Sequence, residues 1–252
     1  MKKLWLFILA GTFAVACSDD DYGYKDNSGN ENSATLLRKK VETAPDGTQI
    51  TTNYQYDGNK LTTVTRSNGT SESYSYVNMD YLSEIRYYEN GALVRKDAFL
   101  YGTGSFTDHI TFSYDIDNPA NNTAIRSSYA WNGTTVTVTE YKGDDSSQTE
   151  NIGTVTLTVT SNNNVVKFQS ENKTISYGFD YQNAPLKEMS VYGLLIYADY
   201  KGGTNNITSV ETTQNGTVSH SYNTYTYNNK DYPLTQTHTE PDGSVYTTEY
   251  FY

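Results

Sequence analysis

Glycines 47, 69 and 91 recur every 22 residues, each behind an aspartate or asparagine, and Gly133 falls close to two further steps. Asp46-Gly47, Asn68-Gly69, Asn90-Gly91, Asn132-Gly133, Asn215-Gly216 and Asp242-Gly243 all separate segments with an extended pattern. Such dipeptides supply the positive φ angles of a type I′ turn, so each pair is expected at the tip of a β-hairpin. Tips at a fixed spacing form an internal repeat whose unit is one hairpin and its connection.

The residues between the tips agree. From Leu37 to Tyr252 no sustained i, i+3, i+4 apolar stripe marks a helix, and tyrosine, threonine and valine dominate. These side chains fit a pleated surface. Between Thr154 and Thr160, Val155, Leu157 and Val159 alternate with threonines, giving one apolar face and one polar face. Aromatic residues also come in pairs one residue apart: Tyr54 and Tyr56, Tyr74 and Tyr76, Phe99 and Tyr101, Phe112 and Tyr114. The pattern returns at Tyr177 and Phe179, Tyr225 and Tyr227, and Tyr250 and Tyr252. A spacing of two puts both rings on one face of a strand. Several pairs lead through a short polar loop to a leucine, as in Tyr56 to Leu61 and Tyr227 to Leu234.

Two strands per unit give roughly 16–18 short strands, and open sheets seldom exceed about ten before they curl, close or split. The expected fold is therefore all-β: a repetitive antiparallel β-meander that is curled or closed into a barrel-like sheet, or split into two stacked layers. Cross-strand tyrosine pairs would hold it together.

Upstream of this region the chain changes character. Lys2-Lys3, an apolar run from Leu4 to Val15 and small residues at the break have the order of a secretory signal peptide. About a dozen apolar residues fall short of the roughly 20 that a membrane-spanning helix needs. Residues 18–36, rich in Ser, Asp, Asn, Gly and Glu, hold too little apolar surface to fold and read as a flexible tether. The expected organisation is a signal peptide over 1–16, a modified N-terminus and acidic tether over 17–36, and one β domain over 37–252.

Ala14-Val15-Ala16-Cys17 resembles the cleavage site of a bacterial lipoprotein signal. The resemblance implies that Cys17 becomes the lipidated N-terminus. Ser18-Asp19-Asp20-Asp21 resembles the acidic export signal that Bacteroidetes lipoproteins carry behind that cysteine, which implies the outer face of the outer membrane. Physics supports a smaller statement: adjacent carboxylates are repelled by an anionic bilayer surface and hold the chain off it. The aromatic repeats loosely resemble the tyrosine-aspartate repeats of large bacterial surface proteins. Residues 37–252 more closely resemble a Bacteroidetes surface lipoprotein family of unknown function with a porin-like β domain. That resemblance implies a fold and carries no activity.

Charge excludes some partners. The formal net charge is −11, and loss of Lys2 and Lys3 with the signal brings it to −13. Nucleic-acid binding rests on neutralising phosphates and is not expected, nor is peripheral attachment to a membrane through a basic surface. Cys17 is the only cysteine, so lipidation leaves neither a disulfide nor a thiol nucleophile.

Catalytic signals are lacking. The histidines His109, His220 and His238 accompany no Gly-x-Ser-x-Gly, His-Glu-x-x-His or phosphate-binding glycine loop. A hairpin turning near Asn229-Lys230 would set His220 opposite His238, two imidazoles without an evident third metal ligand. Asp115-Ile116-Asp117-Asn118 and Asp144-Asp145 carry oxygens but lack the spacing of a calcium loop and are expected to be solvated turns. No cofactor or metal is called for, and no pair of carboxylates stands out.

The direction of the aromatic face decides the function class. Facing out, the rings would make a transmembrane barrel, and Tyr246, Tyr250 and Tyr252 resemble the aromatic C-terminal signal of outer-membrane barrels. A lipid-facing band should instead be largely aliphatic, with aromatics confined to two girdles. Here tyrosine and threonine run through the strands and the mean hydropathy is −0.68. The expectation is a surface-exposed outer-membrane lipoprotein acting as a non-catalytic binding or interaction module. Tyrosine-rich surfaces suit recognition, of glycans among others, and a polysaccharide or a protein is a candidate ligand. The alternatives are a membrane-associated or transmembrane barrel and a passive adhesion protein.

Overall fold

The computed structural model describes residues 34–78, 81–102 and 106–252. Residues 1–16, Cys17, Ser18, Asp19, Asp20 and Asp21 lie outside the described residues, as does the tether up to residue 33. Ala34–Tyr252 is one compact unit.

That unit is all-β apart from two short helical turns. Its strands are β1 (Lys39–Thr43), β2 (Gln49–Asp57), β3 (Lys60–Arg66), β4 (Thr70–Val77), β5 (Tyr81–Glu89), β6 (Ala92–Tyr101), β7 (Phe106–Ser113) and β8 (Thr123–Asn132). They continue with β9 (Thr135–Gly143), β10 (Gln148–Val159), β11 (Val165–Gln169), β12 (Lys173–Asn183), β13 (Asn205–Gln214), β14 (Thr217–Tyr227), β15 (Pro233–Thr239) and β16 (Val245–Phe251). Each pairs antiparallel with its neighbours in sequence, and β1 closes on β16. The result is a closed 16-stranded meander barrel, which leaves no open sheet edge.

The aspartate-glycine and asparagine-glycine pairs do mark hairpin tips. Gly47, Gly69, Gly91, Gly216 and Gly243 all turn at one rim, called here the hairpin rim. Asn132-Gly133 joins β8 to β9 at the opposite rim, so it is out of phase with the 22-residue repeat. The cause is the long loop after β7, with its 3₁₀ turn at Pro119–Asn121, which takes the place of a tight hairpin. Both residues have positive φ only at Asn90-Gly91 and Asn215-Gly216, whereas the other pairs use the glycine alone.

Register shows where the rings point. Tyr54 pairs with Val64 and Tyr56 with Leu61, Tyr74 with Ile85 and Tyr76 with Leu82, all on the inner face. The pairing shifts at Gln55/Tyr56, Ser75/Tyr76, Leu100/Tyr101 and Thr226/Tyr227, each time at the second aromatic of a pair. Such a bulge adds a residue to one strand and turns the next side chains. It lets Leu61 and Val64, or Leu82 and Ile85, both face inward although they are three apart. The aromatic pairs of β2, β4, β6, β14 and β16 thus gather inside the barrel near the rim opposite the hairpins. Phe112 and Tyr114 differ: His109 and Thr111 face inward across from Phe99 and Asp97, so Phe112 looks out beneath Lys96.

The outward face is polar. Thr63, Thr137, Thr139, Thr154, Thr156, Thr224 and Thr237 all stand on it, with serines, glutamates and lysines between them. The large apolar side chains that remain exposed include Val77, Leu100, Val218, Tyr222 and Val245.

A segment with no signal in the sequence occupies part of the lumen. Between β12 and β13, residues 184–204 fold inward and include the helix α1 (Tyr192–Ala198). Its two turns carry apolar side chains all round, some packed on the wall of β3 to β11 and others lining the remaining cavity. A helix so placed has no polar stripe to betray it.

Candidate functional site

The lumen is built from two unlike halves. Along β3 to β11 the inner wall offers Leu61, Val64, Leu82, Ile85, Phe99, Val136, Val138, Val155, Leu157 and Val165. The inserted segment packs there, with Met189 and Val191 against the first group and Ile196 and Tyr197 against the second. Burying an aliphatic side chain of this size contributes about 1.5–3 kcal/mol.

Hydrogen bonds pin the insert to the rim opposite the hairpins. Its neck closes through Ala184 N donating to Thr204 O at 3.0 Å. Ser190 N donates to Asn59 O at 3.1 Å, Val165 N to Gly202 O at 3.0 Å, and Tyr232 Oη to Glu188 Oε1 at 2.8 Å. Three loops of that rim therefore hold it. At Gly203 the chain lies so close to β11 that a Cβ would stand 2.8 Å from Asn164 Cα.

Beneath α1 lies an ionic cluster. Arg95 grips Asp97 with two nitrogens, at 2.8 and 2.6 Å, and Tyr87 Oη donates to the same carboxylate at 2.9 Å. His109 Nε2 stands 3.6 Å from Asp97 Oδ2, beyond hydrogen-bond reach, and its ring stacks on Phe99. Asp97 is 2% exposed and His109 4%. Burial works to raise the Asp97 carboxyl, but the nearby His109 and the Arg95 fork overcome it and hold it down at about 2. Asp199, at the end of α1, is pushed up by burial, with Lys201 and Arg95 pulling back. Tyr87, Arg95, Asp97 and Asp199, with Arg66 and Glu72, edge a cavity of about 250 Å³. Both guanidiniums are already paired with carboxylates, so this is a structural cluster.

The other half of the lumen stays open. Between the insert and strands β12–β16 and β1 runs a cavity of about 730 Å³, within the size range of small-ligand sites. Its wall carries the rings of Tyr177, Tyr225, Tyr246 and Tyr250 and the polar side chains of Asn223, Gln236, His238 and Thr248. A hydrogen-bonded strip orders the polar groups. Gln236 Nε2 donates to Asn223 Oδ1 at 2.8 Å, and Asn223 Nδ2 donates to Ile207 O at 2.8 Å. His238 Nδ1 meets Asn223 Oδ1 at 2.8 Å, and Tyr250 Oη donates to Gln236 Oε1. Tyr225 Oη donates to Ile207 O at 2.8 Å. Burial raises the Tyr225 and Tyr250 hydroxyls, which therefore stay protonated donors.

This cavity is a cup. Glu42, Glu240 and Tyr246, beside the β1–β2 and β15–β16 hairpins, form its mouth and are well exposed. Ala184 and Asn206, both buried, form its floor where the insert closes the opposite rim. Acidic groups outnumber basic ones in the lining, with Glu42, Asp199 and Glu240 against Lys201 and His238. Lys40 pairs Glu42 at 2.9 Å, and His238 Nε2 lies 3.1 Å from Glu240.

The two histidines of the last long hairpin do not meet. The bulge at Thr226/Tyr227 and the loop over Asn228–Tyr232 slide the register, so His238 faces Asn223. His220 pairs with Glu211 and points outward, while His238 points into the cup. Among the described residues no group of three or more His, Cys, Asp or Glu is placed to hold a metal. Asp115 and Asp144 spend their oxygens on loop backbone: Asp115 Oδ1 accepts from Asn118 N at 2.9 Å, and Asp144 Oδ1 from Ser146 N at 2.9 Å. Tyr246 and Tyr250 line the cup, and Tyr252 packs against Tyr232, so the C-terminal rings turn inward. Asn206, Asn223 and Gln236 had no sequence signal, because an inward amide in a tyrosine-rich strand reads like any polar residue.

Neither family models nor curated proteins give a match to this sequence. Solved structures do. A porin-like protein from Bacteroides vulgatus is 11% identical, with a TM-score of 0.54 over 86% of this chain and 99% of that one. A porin-like protein from Bacteroides uniformis is 15% identical, with a TM-score of 0.53 over 87% of this chain and 98% of that one. At these identities the likeness concerns the fold: a porin-like β-barrel.

Proposed function

We propose that this chain is a lipoprotein of the outer membrane, tethered through Cys17 and exported to the cell exterior by Ser18-Asp19-Asp20-Asp21, whose barrel stands in water and binds a ligand in its lumen. It works without catalysis, and glycans suit the site. The observation that carries this reading is the inversion of the barrel wall. A barrel spanning a bilayer keeps its apolar residues outside and its polar ones in the lumen. Here Thr63, Thr137, Thr139, Thr154, Thr156, Thr224 and Thr237 face out, while the aliphatic core and the paired rings of β2, β4, β6, β14 and β16 face in. The second observation is the closed floor: a cup blocked by residues 184–204 suits binding better than conduction. Rings beside fixed amide and hydroxyl groups have the form of a recognition site.

A membrane-spanning barrel is the second reading, supported by the likeness to porin-like proteins. Expression of residues 18–252 without detergent, followed by gel filtration and circular dichroism, separates the two. A monodisperse β-rich monomer supports the tethered barrel. Aggregation relieved only by detergent reverses the assignment.

A further inference from the structure

The floor of the cup holds an atom the fold does not satisfy. Asn206 is 3% exposed. Its backbone N and its Nδ2 both donate to Asp180, at 3.0 and 3.1 Å, and Nδ2 also donates to Asn183 O at 3.1 Å. The Asp180 carboxylate fixes the amide, since a flip would set two acceptors face to face. Oδ1 is left buried with no donor. A buried acceptor without a partner costs about 1–3 kcal/mol, and Asn206 lines the cavity.

We infer that the cup takes an uncharged, polyhydroxylated ligand of oligosaccharide size, which enters at the hairpin rim and, on binding, displaces the side chains that cover Asn206 Oδ1 so that a hydroxyl donates to it at the floor. The inference rests on the lumen-binding reading and names its ligand class. The Gln236-Asn223-His238 strip halfway up supplies further hydrogen-bonding groups beside Tyr225 and Tyr250, whose faces suit the apolar side of a sugar ring. Charge selects against anions: the chain's net charge of −11 opposes the approach of a polyanion. A cation is not called for either, because Glu42 and Glu240 already face Lys40 and His238 at the mouth.

The test is isothermal titration of residues 18–252 with a probe set: neutral malto-, xylo- and mannotriose, trigalacturonic acid, deacetylated chitotriose, a per-O-methylated maltotriose and a fatty acid. The expected result is binding of at least one neutral trisaccharide, at least tenfold tighter than the acidic one, with the methylated sugar inert. Asn206→Ala should weaken that binding about tenfold. Because Asn206 also joins Asp180, Gln236→Leu serves as a second variant and should weaken it similarly, with unchanged circular dichroism for each variant scored. Tighter binding of the acidic, amino or apolar probe, lost in Gln236→Leu, overturns the ligand class and keeps the lumen site. Binding of the methylated sugar as tight as its parent overturns the hydroxyl anchor. Absence of binding by every probe overturns both the ligand class and the lumen reading.

Discussion

The two halves of the lumen share one backbone pattern and differ in what fills them. Where residues 184–204 lie against the wall, β3 to β11 present leucine, valine, isoleucine and phenylalanine. Where the insert turns away, β12 to β16 present tyrosine, asparagine, glutamine and histidine. A wall that meets protein is made of side chains that gain by excluding water. A wall that meets solvent or a ligand is made of side chains that can satisfy either. Dense packing and an open, polar-lined cavity thus lie on opposite sides of one closed sheet, the arrangement that the proposed binding role requires.

The comparison is broken most severely through the packed half. Asp97→Ala removes a buried carboxylate that accepts from Tyr87 and twice from Arg95. Hydrogen bonds to a charged group contribute about 1.5–3 kcal/mol each, so the loss is expected to cost about 3–5 kcal/mol, read as a lower midpoint in urea unfolding. The same group predicts an acid limb. The Asp97 carboxyl is held down at about 2, so it contributes stability above its unfolded value near 4, and this is lost as pH falls toward 2. The loss is about 2 kcal/mol.

Next in size is cavity formation in the apolar wall. Leu157→Ala, at a fully buried position, should cost about 2–5 kcal/mol and leave ligand affinity per folded molecule unchanged. The open half should show the reverse. His238→Ala or Gln236→Ala removes one link of a strip open to water and should cost about 1 kcal/mol or less, while binding in the cup weakens. Equal stability losses in the two halves would dissolve the distinction between them.

The smallest effect concerns the outer wall. Thr156→Lys should change stability by no more than about 0.5 kcal/mol, as surface substitutions do. Lysine on a lipid-facing strand costs about 2–4 kcal/mol at mid-membrane, so unfolding of this variant separates water from lipid around the barrel.

Much of this fold is legible in the sequence. Aspartate-glycine and asparagine-glycine pairs name six of the hairpin turns, and aromatic pairs name the strands that return from them. The strand number follows from their spacing. The apolar face of β10 is legible too, because Thr154, Thr156 and Thr158 leave only Val155, Leu157 and Val159 to form a core, but the direction of the tyrosine rings is not, since tyrosine suits a buried seam and an exposed surface alike. The insert is not legible, since Tyr192–Ala198 is short and apolar on every side. Without it the division of the lumen cannot be seen, and neither can the floor at Asn206. His220 and His238 do not pair for a related reason: the loop over Asn228–Tyr232 moves the turn and one bulged residue at Thr226/Tyr227 puts the two histidines on opposite faces, and neither leaves a mark in composition.

The most direct test uses the fact that Cys17 is the only cysteine. Residues 18–252 form a thiol-free background into which single cysteines are placed at Thr248 in the cup, Val138 in the packed wall and Thr137 on the outside. Labelling with a water-soluble maleimide, without detergent, should be fast at Thr137→Cys, measurable at Thr248→Cys, and absent at Val138→Cys until the barrel unfolds. Labelling of Val138→Cys as fast as Thr248→Cys, or protection of Thr137→Cys, would contradict the account.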